Sequence, residues 1–297
     1  MSQLTQVLSR LTVAVLWLLH WLPLPALAVL GQGLGLVLYV VVAKRRRIVQ
    51  VNFALCFPEM SARTRQRLVR AHFRMLGRSI VERGVLWWAS AERLARLVQV
   101  EGADKVRGLL DAGQPVIMMA PHFVGLDAGG TALTMRFDLV SIYARQKNPV
   151  FDRWLLHGRS RFGDQLLLAR DQGVRATIKA MRSGRPFYYL PDLNFRTRDA
   201  VFAPFFGVPA WTITGLSRLS RAAGAKVVSC KTRMLDAGRG YVVELSDPWP
   251  DFPSDDVQAD TERMNREIEA LVRQHPEQYH WVHRRFKTRP PGEPKHY

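Results

Sequence analysis

Acidic residues and cysteines are the two scarce groups in this chain of 297 residues. Asp and Glu total 25 against 43 Lys and Arg, which leaves a formal net charge of +18. This imbalance predicts an anionic partner, whether a nucleic acid, an anionic membrane surface or an acidic protein. The two cysteines, Cys56 and Cys230, stand in apolar surroundings without the spacing of a metal site. We therefore predict that both are reduced core residues, as in a cytosolic domain.

Several functional classes are excluded because their motifs are missing. The chain has no Gly-rich phosphate loop and no dinucleotide fingerprint. It has no Cys/His cluster with zinc spacing and no Gly-x-Ser-x-Gly nucleophile elbow. It also lacks an aromatic platform motif for RNA, and its near-transmembrane segment argues against a DNA-binding protein. We therefore expect no nucleic-acid partner.

The N-terminal region carries no charge between residues 11 and 43. Residues 11–30 alone could cross a bilayer core, which takes about 20 apolar residues. Pro23 and Pro25 interrupt this run, which predicts a kinked or partly interfacial helix. A cleaved signal peptide and a buried core helix are the alternative interpretations.

A basic cluster, Lys44-Arg45-Arg46-Arg47, follows the apolar segment, whereas Arg10 is the one basic residue that precedes it. The positive-inside bias therefore predicts that the following residues are cytoplasmic. We predict a membrane anchor with a basic flank over residues 1–47. A single α/β domain is predicted over residues 48–297.

A helical pattern runs from Arg63 to Trp88, with Ser61 as its predicted N-cap. Five arginines recur on it every three or four residues and form one stripe about 80° wide. Because no acidic residue alternates with them, the stripe predicts contact with phosphates of lipid headgroups or of a substrate. A solvated helix face is the alternative. The stripe comprises Arg63, Arg67, Arg70, Arg74 and Arg78.

From residue 98 onward, apolar strand-like segments alternate with helical segments. This alternation predicts an α/β fold with a largely parallel sheet covered by helices on both faces. The apolar stretch 200–207 predicts a loop or an edge hairpin, whose aromatic residues either line an apolar binding surface or belong to the core. Strands are predicted at residues 98–101, 115–120, 139–144, 165–169, 186–190, 226–234 and 240–245.

The most informative motif follows the buried strand at 115–120. His122 stands on a predicted turn after Pro121, and Asp127 lies five residues later in the next helix. Residues five apart on one helix point about 140° apart, so the two side chains can meet only if His122 precedes the helix. An imidazole held by a carboxylate has a fixed tautomer and is a general base. We predict that Asp127 orients His122.

Polar residues at other strand ends are further candidates for substrate binding. Arg145 follows a strand and is predicted to bind a phosphate or an oxyanion. Asp192 follows another strand and either binds an acceptor hydroxyl or holds Arg145. Asn148 is the predicted cap of the next helix, since Pro149 follows it. Two further predicted substrate contacts are Arg159 and Arg170.

Three predicted features fit direct acyl transfer to a lipid hydroxyl. They are a histidine base with an aspartate partner, basic residues that follow strands, and a membrane anchor. A thioester donor is already activated, so the enzyme needs a base for the hydroxyl and a stabilised oxyanion.

Motifs along most of the chain carry a family resemblance. The His122-x4-Asp127 pair resembles the signature of the glycerolipid and lysophospholipid acyltransferases. The other motifs resemble one branch of them, the late acyltransferases of lipid A biosynthesis. These motifs are Asn52-x3-Cys56-Phe-Pro-Glu59, Arg145-x2-Asn148-Pro149, Pro191-Asp192, Pro204-Phe-Phe-Gly207, Met264-Asn265-x3-Glu269 and the long segment from Pro276 to Pro290.

The resemblance implies a glycerol-3-phosphate acyltransferase-like fold and an acyl carrier protein as donor. It also implies a phosphorylated glycolipid acceptor, a lipid A precursor, at the cytoplasmic face of the inner membrane. No metal, no cofactor and no covalent intermediate are expected, with His122 as base and Asp127 as its partner. Anionic inner-membrane lipids and an acidic carrier protein would both be attracted to a chain of this charge.

One departure from the family pattern bears on the acceptor. Many relatives have Glu where Asp127 stands, and Gln-Asp near Leu193-Asn194. A lysophospholipid, an ornithine lipid or another glycolipid is therefore the alternative acceptor. A non-catalytic, basic membrane-binding protein is the third interpretation.

Overall fold

The N-terminal segment folds into two apolar helices separated by a proline-marked turn. In the computed structural model, which describes residues 3–169, 173–195 and 197–297, α1 spans Gln3–Leu19 and α2 spans Leu24–Val41. Pro23 caps α2 and Pro25 lies in its first turn, where a missing N–H costs no helical hydrogen bond. The predicted interruption is confirmed. By length and composition alone, α2 could cross a membrane.

Four helices connect this pair to the sheet. They are α3 (Ala43–Cys56), α4 (Ala62–Val81), α5 (Arg83–Trp88) and α6 (Ala91–Leu97). The Ser61 hydroxyl accepts a hydrogen bond from the backbone N–H of Thr64 at 3.2 Å, so the predicted cap of α4 is confirmed. The helix predicted from residue 63 to 88 is divided at Glu82 into α4 and α5. The predicted domain boundary at residues 47 and 48 lies inside α3.

A seven-stranded sheet forms the centre of the molecule in the order β1-β9-β8-β2-β5-β3-β4. All of its neighbouring pairs are parallel except β8 with β9, so the prediction of a largely parallel sheet is confirmed. The strands are β1 (Val98–Glu101), β2 (Val116–Met119), β3 (Val140–Tyr143), β4 (Leu166–Ala169), β5 (Phe187–Tyr189), β8 (Lys226–Met234) and β9 (Tyr241–Leu245). The helices between them are α7 (Ala103–Asp111), α8 (Leu126–Thr134), α9 (Pro149–Arg159), α10 (Gly173–Arg182), α11 (Gly215–Ala223) and α12 (Val257–Gln274).

Both faces of this sheet are covered by helices, as predicted. On β2, Ile117 and Met119 point into one hydrophobic cluster, and Val116 and Met118 point into the other. All four residues of β2 are fully buried, which explains why this strand is a continuous apolar run. The first cluster includes buried residues of α3, α4, α10, α11 and α12, and the second includes those of α5 to α8. Cys56 and Cys230 are buried in these two clusters, and neither forms a disulfide.

The apolar stretch near residue 200 forms a separate hairpin. β6 (Ala200–Phe205) and β7 (Val208–Ile213) pair antiparallel as their own two-stranded sheet. Phe205 and Phe206 are buried against α12 and the C-terminal segment, so this part of the hairpin is ordinary core. The prediction of a hairpin is confirmed, although it does not extend the main sheet.

The arginine stripe on α4 is shorter than the sequence predicts. Arg63, Arg67, Arg70 and Arg74 are exposed. Arg78 is fully buried instead, and its Nε lies 2.6 Å from the carboxylate of Glu82. The helical period places Arg78 in line with the other arginines, but α2 covers this end of α4. Arg78 is therefore a buried ion-pair residue and cannot contact a headgroup.

The helices α2 and α4 approach each other through glycines. A side chain on Gly31 would collide with the backbone of Arg78, and one on Gly35 would collide with that of Phe73. Gly77 of α4 faces both α2 glycines in the same way. Small residues spaced four apart allow such close helix packing.

A pair of glycine substitutions tests this packing. We expect Gly35→Ala to cost about 1–3 kcal/mol of unfolding free energy, because the methyl group overlaps the carbonyl oxygen of Phe73. Gly33 lies on the same helix with nothing near its Cβ position, so Gly33→Ala should be neutral or stabilising by up to about 1 kcal/mol. Thermal unfolding of the purified full chain in detergent measures both. Equal melting temperatures for the two variants would contradict the packing of α2 on α4.

Candidate active site

The centre of the candidate site lies where two neighbouring parallel strands end. Met119 at the end of β2 is in register with Tyr189 at the end of β5. The backbone N–H of Ala120 still donates to the carbonyl oxygen of Tyr189 at 2.8 Å, which keeps the two chains together one residue further. His122 follows on the first chain and Asp192 on the second. Carboxyl ends of parallel strands are the usual place for a ligand site in such sheets.

The carboxylate of Asp192 holds His122 at two points. Its Oδ1 lies 2.6 Å from the imidazole Nδ1, and its Oδ2 accepts from the backbone N–H of His122 at 2.9 Å. The prediction that Asp127 orients the imidazole is therefore wrong in this structure. Asp192 has that role because its strand lies next to that of His122. The alternative that Asp192 holds Arg145 is also wrong, because Asp192 binds His122 and the ion-pair partner of Arg145 is Asp152.

Asp192 is fully buried, with its charge stabilised by neighbours. Burial alone would raise its pKa, but the nearby His122 and hydrogen bonds from His122 and Tyr279 hold that pKa well below the usual range. Burial, together with the same carboxylate, raises the pKa of Tyr279. A carboxylate on Nδ1 favours the tautomer with the proton on that nitrogen, which leaves Nε2 as a hydrogen-bond acceptor. The His122 side chain is 20% exposed, so solvent and substrate can reach it.

Asp127 instead joins two arginines from neighbouring helices. Its Oδ2 lies 2.8 Å from Arg83 of α5, and its Oδ1 lies 3.4 Å from Arg159 of α9. Burial would raise the pKa of Asp127, but attraction to Arg83, to Arg159 and, more weakly, to His122 lowers it. Asp127 is therefore ionised and attracts positive charge on His122 without a hydrogen bond to it. Arg159 also lies over the ring of Tyr143, 5.8 Å from its centroid.

The C-terminal segment completes the turn that carries His122. The backbone N–H of His280 donates to the carbonyl oxygen of His122, and that of Val124 donates to the carbonyl oxygen of Gln278, both at 2.8 Å. An isolated antiparallel bridge joins Phe123 to Tyr279 between them. The conformation of the turn therefore depends on a segment more than 150 residues away in the chain.

Two further histidines lie close to His122 and are held neutral. The rings of His122 and His280 are 6.2 Å apart between centroids. Burial lowers the pKa of His280 to about 3 and that of His283 to about 4. The Nε2 of His283 accepts a hydrogen bond from the backbone N–H of Asn194 at 3.0 Å, so His283 has a structural partner. At neutral pH both residues are therefore uncharged, so neither adds a positive charge beside His122.

The remaining predicted residues are more dispersed. The Arg145 side chain is 87% exposed, and its nearest carboxylate is that of Asp152 at 3.7 Å. Asn148 caps α9 by accepting from the backbone N–H groups of Val150 and Phe151, as predicted. Arg170 lies outside the described residues. The substrate-binding roles of Arg145, Arg159 and Arg170 remain predictions.

Two residues of α12 make hydrogen bonds to the β6–β7 hairpin. The Asn265 Nδ2 donates to the carbonyl oxygen of Pro204 at 2.8 Å, and Glu269 accepts from the backbone N–H of Phe206 at 2.7 Å. Both bonds fix the hairpin of β6 and β7 on α12.

Arg83, Tyr279 and His280 are site residues that sequence reasoning misses. Tyr279 and His280 belong to the motif between Pro276 and Pro290, but nothing in that motif shows that it reaches the His122 turn. Arg83 continues a helix rich in arginine, so its residue type carries no special signal. Only the packing of α5 against α8 places it beside Asp127.

A basic cavity of about 760 Å³ is lined by the C-terminal segment together with Thr197, Arg198 and Trp211. Asn194, which follows β5 and Asp192 in the chain, contacts the cavity wall. Its side-chain oxygen accepts a hydrogen bond from the hydroxyl of Thr288 at 3.0 Å. Among the lining side chains that the structure describes, four are cationic and none is an aspartate or glutamate, while Trp211 and Tyr297 add aromatic surface. The cationic residues are Arg198, Arg284, Lys287 and Lys295.

Comparison with known proteins identifies the family. Residues 1–288 match the model of the bacterial lipid A biosynthesis acyltransferase family. The chain belongs to this family. The resemblance read from its motifs is confirmed, and so is the prediction that the chain is an acyltransferase.

Named members of the family match nearly the whole chain. The lipid A biosynthesis lauroyltransferase of Escherichia coli (strain K12) is 35% identical over 291 residues, which cover 98% of this chain and 94% of the relative. The palmitoleoyltransferase of the same organism is 32% identical, and the match covers 95% of this chain and 91% of the relative. A crystal structure of the 1-acyl-sn-glycerophosphate acyltransferase from Thermotoga maritima has 13% sequence identity and a TM-score of 0.36, and the match covers 85% of this chain and 96% of that one.

The two aspartates near His122 can be distinguished by nuclear magnetic resonance. In the wild-type protein we expect a downfield proton signal from the Nδ1–H of His122, because that proton is shared with Asp192. Asp192→Asn should remove or strongly shift this signal, whereas Asp127→Asn should leave it in place. The measurement uses histidine-selective ¹⁵N labelling, with His122→Ala to assign the signal. Loss of the signal in Asp127→Asn and its retention in Asp192→Asn would show that Asp127 is the partner after all.

Proposed function

We propose that this protein transfers a fatty acyl chain from an acyl-carrier-protein thioester to a hydroxyl group of a phosphorylated lipid A precursor. The transfer is direct, with no acyl-enzyme intermediate, and takes place at the cytoplasmic face of the inner membrane. The names of the relatives and the family support the acyl transfer and the class of acceptor. The geometry of His122 supports the mechanism.

In this mechanism the neutral His122 uses Nε2 to remove the proton of the acceptor hydroxyl. The hydroxyl oxygen then bonds to the thioester carbonyl carbon, whose oxygen gains the negative charge. When this oxyanion collapses, the carbon–sulfur bond breaks and the thiolate leaves. The imidazolium returns its proton to the sulfur, so the products are an ester and a free thiol.

The observation that carries this proposal is the bond between the buried Asp192 carboxylate and the Nδ1 of His122. It fixes the ring and directs the basic nitrogen away from the protein interior. The ionised Asp192 also stabilises the imidazolium during transfer, and Asp127 adds a second, more distant negative charge. Because Asp127 also binds Arg83 and Arg159, it holds two cations near the reaction centre, where they can stabilise an oxyanion.

The basic cavity supports a phosphorylated sugar headgroup as part of the acceptor. Its cations lack acidic neighbours on the cavity wall, and its aromatic surfaces offer flat apolar contact for a sugar ring. Phosphate is bound well by Arg and Lys donors in such a setting. The overall charge of +18 supports an acidic carrier protein as the acyl donor, because opposite charges accelerate encounter.

Removal of the base tests the mechanism. We expect His122→Ala to lower the rate of acyl transfer by a factor of about 10²–10⁴, the usual contribution of a general base. The assay uses purified protein, an acyl-carrier-protein thioester and a lipid A precursor. His157→Asn is the matched control, since His157 is exposed on α9, where it contacts the carbonyl oxygen of Trp87 and the ring of Trp154. Wild-type rates for His122→Ala would refute general-base catalysis by this residue.

Lipid profiles of a deletion strain identify the acceptor. Mass spectrometry should show one acyl chain missing from lipid A, restored by the wild-type gene and not by His122→Ala. A chain missing instead from a phospholipid, an ornithine lipid or another glycolipid would show that the acceptor is the precursor of that lipid, such as a lysophospholipid.

Neutral substitutions in the cavity test the headgroup site. We expect Lys287→Gln with Lys295→Gln to raise the KM for the phosphorylated acceptor about tenfold, with little change in kcat, because two phosphate-binding cations are lost. The control, Lys179→Gln with Lys226→Gln, removes the same charge from exposed positions elsewhere. A dephosphorylated acceptor should show no difference between the two variants. If both double variants change KM equally, the cavity does not bind the phosphate.

A further inference from the structure

The exposed apolar surface of this protein is concentrated on its first two helices. Of seventeen exposed large apolar side chains in the described residues, fifteen lie between Leu4 and Val41. They include Trp17, Trp21 and Val29, which are 46%, 69% and 69% exposed. A continuous apolar surface of this kind needs a cover, and Trp residues are typical of a membrane–water interface.

The α2 helix rests on the catalytic domain from its first turn to its last. Near its beginning, the backbone of Leu24 and Pro25 touches Gly238 in the turn between β8 and β9. In its middle, Gly31 and Gly35 touch the backbone of α4. Near its end, Tyr39 packs against Phe73 of α4, with 5.7 Å between ring centroids, and accepts a hydrogen bond from Gln66.

These contacts are incompatible with a helix that crosses the bilayer. With 18 residues α2 is about 27 Å long, close to the thickness of the hydrocarbon core. If α2 spanned it, the β8–β9 turn at one end and α3 at the other would lie on opposite sides of the membrane. The central sheet would then be drawn into the hydrocarbon. The exposed Arg70 and Arg74 of α4 would enter it as well, and charged side chains inside the membrane are costly.

The α1 helix is attached to the same body. The Asn148 side chain donates to the Ser9 hydroxyl at 2.7 Å, and Gly84 of α5 lies against the carbonyl oxygen of Leu16. At the turn after α1, Arg93 of α6 donates to the carbonyl oxygens of His20 and Leu22 at 2.5 and 2.6 Å. One side of each helix is therefore attached to protein, and only the other side is apolar and exposed.

We infer that α1 and α2 lie within one leaflet of the membrane and that the chain does not cross the bilayer. The apolar faces of the two helices dip into the acyl region, while the domain stays on one side. Exposed cations at the end of α2 and on α4 border this surface and match anionic headgroups. These cations are Lys44, Arg45, Arg47, Arg63 and Arg67. The N-terminus then lies on the same side as the active site. The inference rests on the membrane location in the proposed function and goes beyond it.

Cysteine labelling in cells distinguishes the two topologies. Gln3→Cys reports on the N-terminus and Lys179→Cys on the domain, while the native Cys56 and Cys230 are buried. A membrane-impermeant maleimide is added to cells with a permeabilised outer membrane, before and after lysis. We expect both positions to react only after lysis. Reaction of Gln3→Cys in intact cells, with Lys179→Cys protected, would show a spanning helix and overturn the inference.

Vesicle binding tests the apolar surface itself. Val29→Glu should weaken binding of the full-length protein to phosphatidylglycerol vesicles at least tenfold. Val174→Glu is the matched control, because Val174 is 58% exposed on α10, away from this surface. Equal binding of the two variants would overturn the assignment of this surface to lipid. Neither measurement uses acyl transfer, so an inactive enzyme would leave both results valid.

Discussion

The contact between His122 and Asp192 is the interaction on which the candidate site depends. It joins the ends of β2 and β5, so it requires the parallel register of those two strands. It also requires the turn after β2, which the C-terminal segment holds through backbone hydrogen bonds. A buried carboxylate without a cationic or hydrogen-bonding partner is unfavourable. The fold therefore supplies Asp192 with His122 and Tyr279, and the same arrangement makes the imidazole basic on its exposed side.

Much of the fold follows from local patterns. Continuous apolar segments such as β2 mark buried parallel strands, and the caps at Ser61 and Asn148 mark the beginnings of α4 and α9. The order of the strands does not follow from these patterns. The antiparallel pairing of β9 with β8 is local, because a short turn at Asp236–Gly238 reverses the chain, but β9 also pairs with the distant β1. Long-range pairings of this kind are set by packing between distant segments, which periodicity does not encode.

The candidate site, like the fold, has one part that local sequence patterns predict and one part that they do not. His122 can be found from the sequence because it follows a buried strand and a proline turn. Its partner cannot, because proximity in the chain favours Asp127 while proximity in the sheet favours Asp192. Arg78 is a similar case, since helical periodicity places it on a basic stripe and α2 covers it. In both cases a contact with a distant segment overrides a pattern that is correct locally.

The dependence of the His122 turn on Gln278 and His280 has a consequence for biosynthesis. The ribosome releases α1 and α2 first, so the apolar surface is available for the membrane while most of the domain is still unmade. The catalytic turn lacks its supporting backbone until residues 278–280 have emerged, close to the end of translation. Asn52 then binds the carbonyl oxygens of Trp281 and His283 and joins the early and late parts of the chain. With the membrane location proposed above, the chain would reach its lipid substrate before it becomes able to modify it.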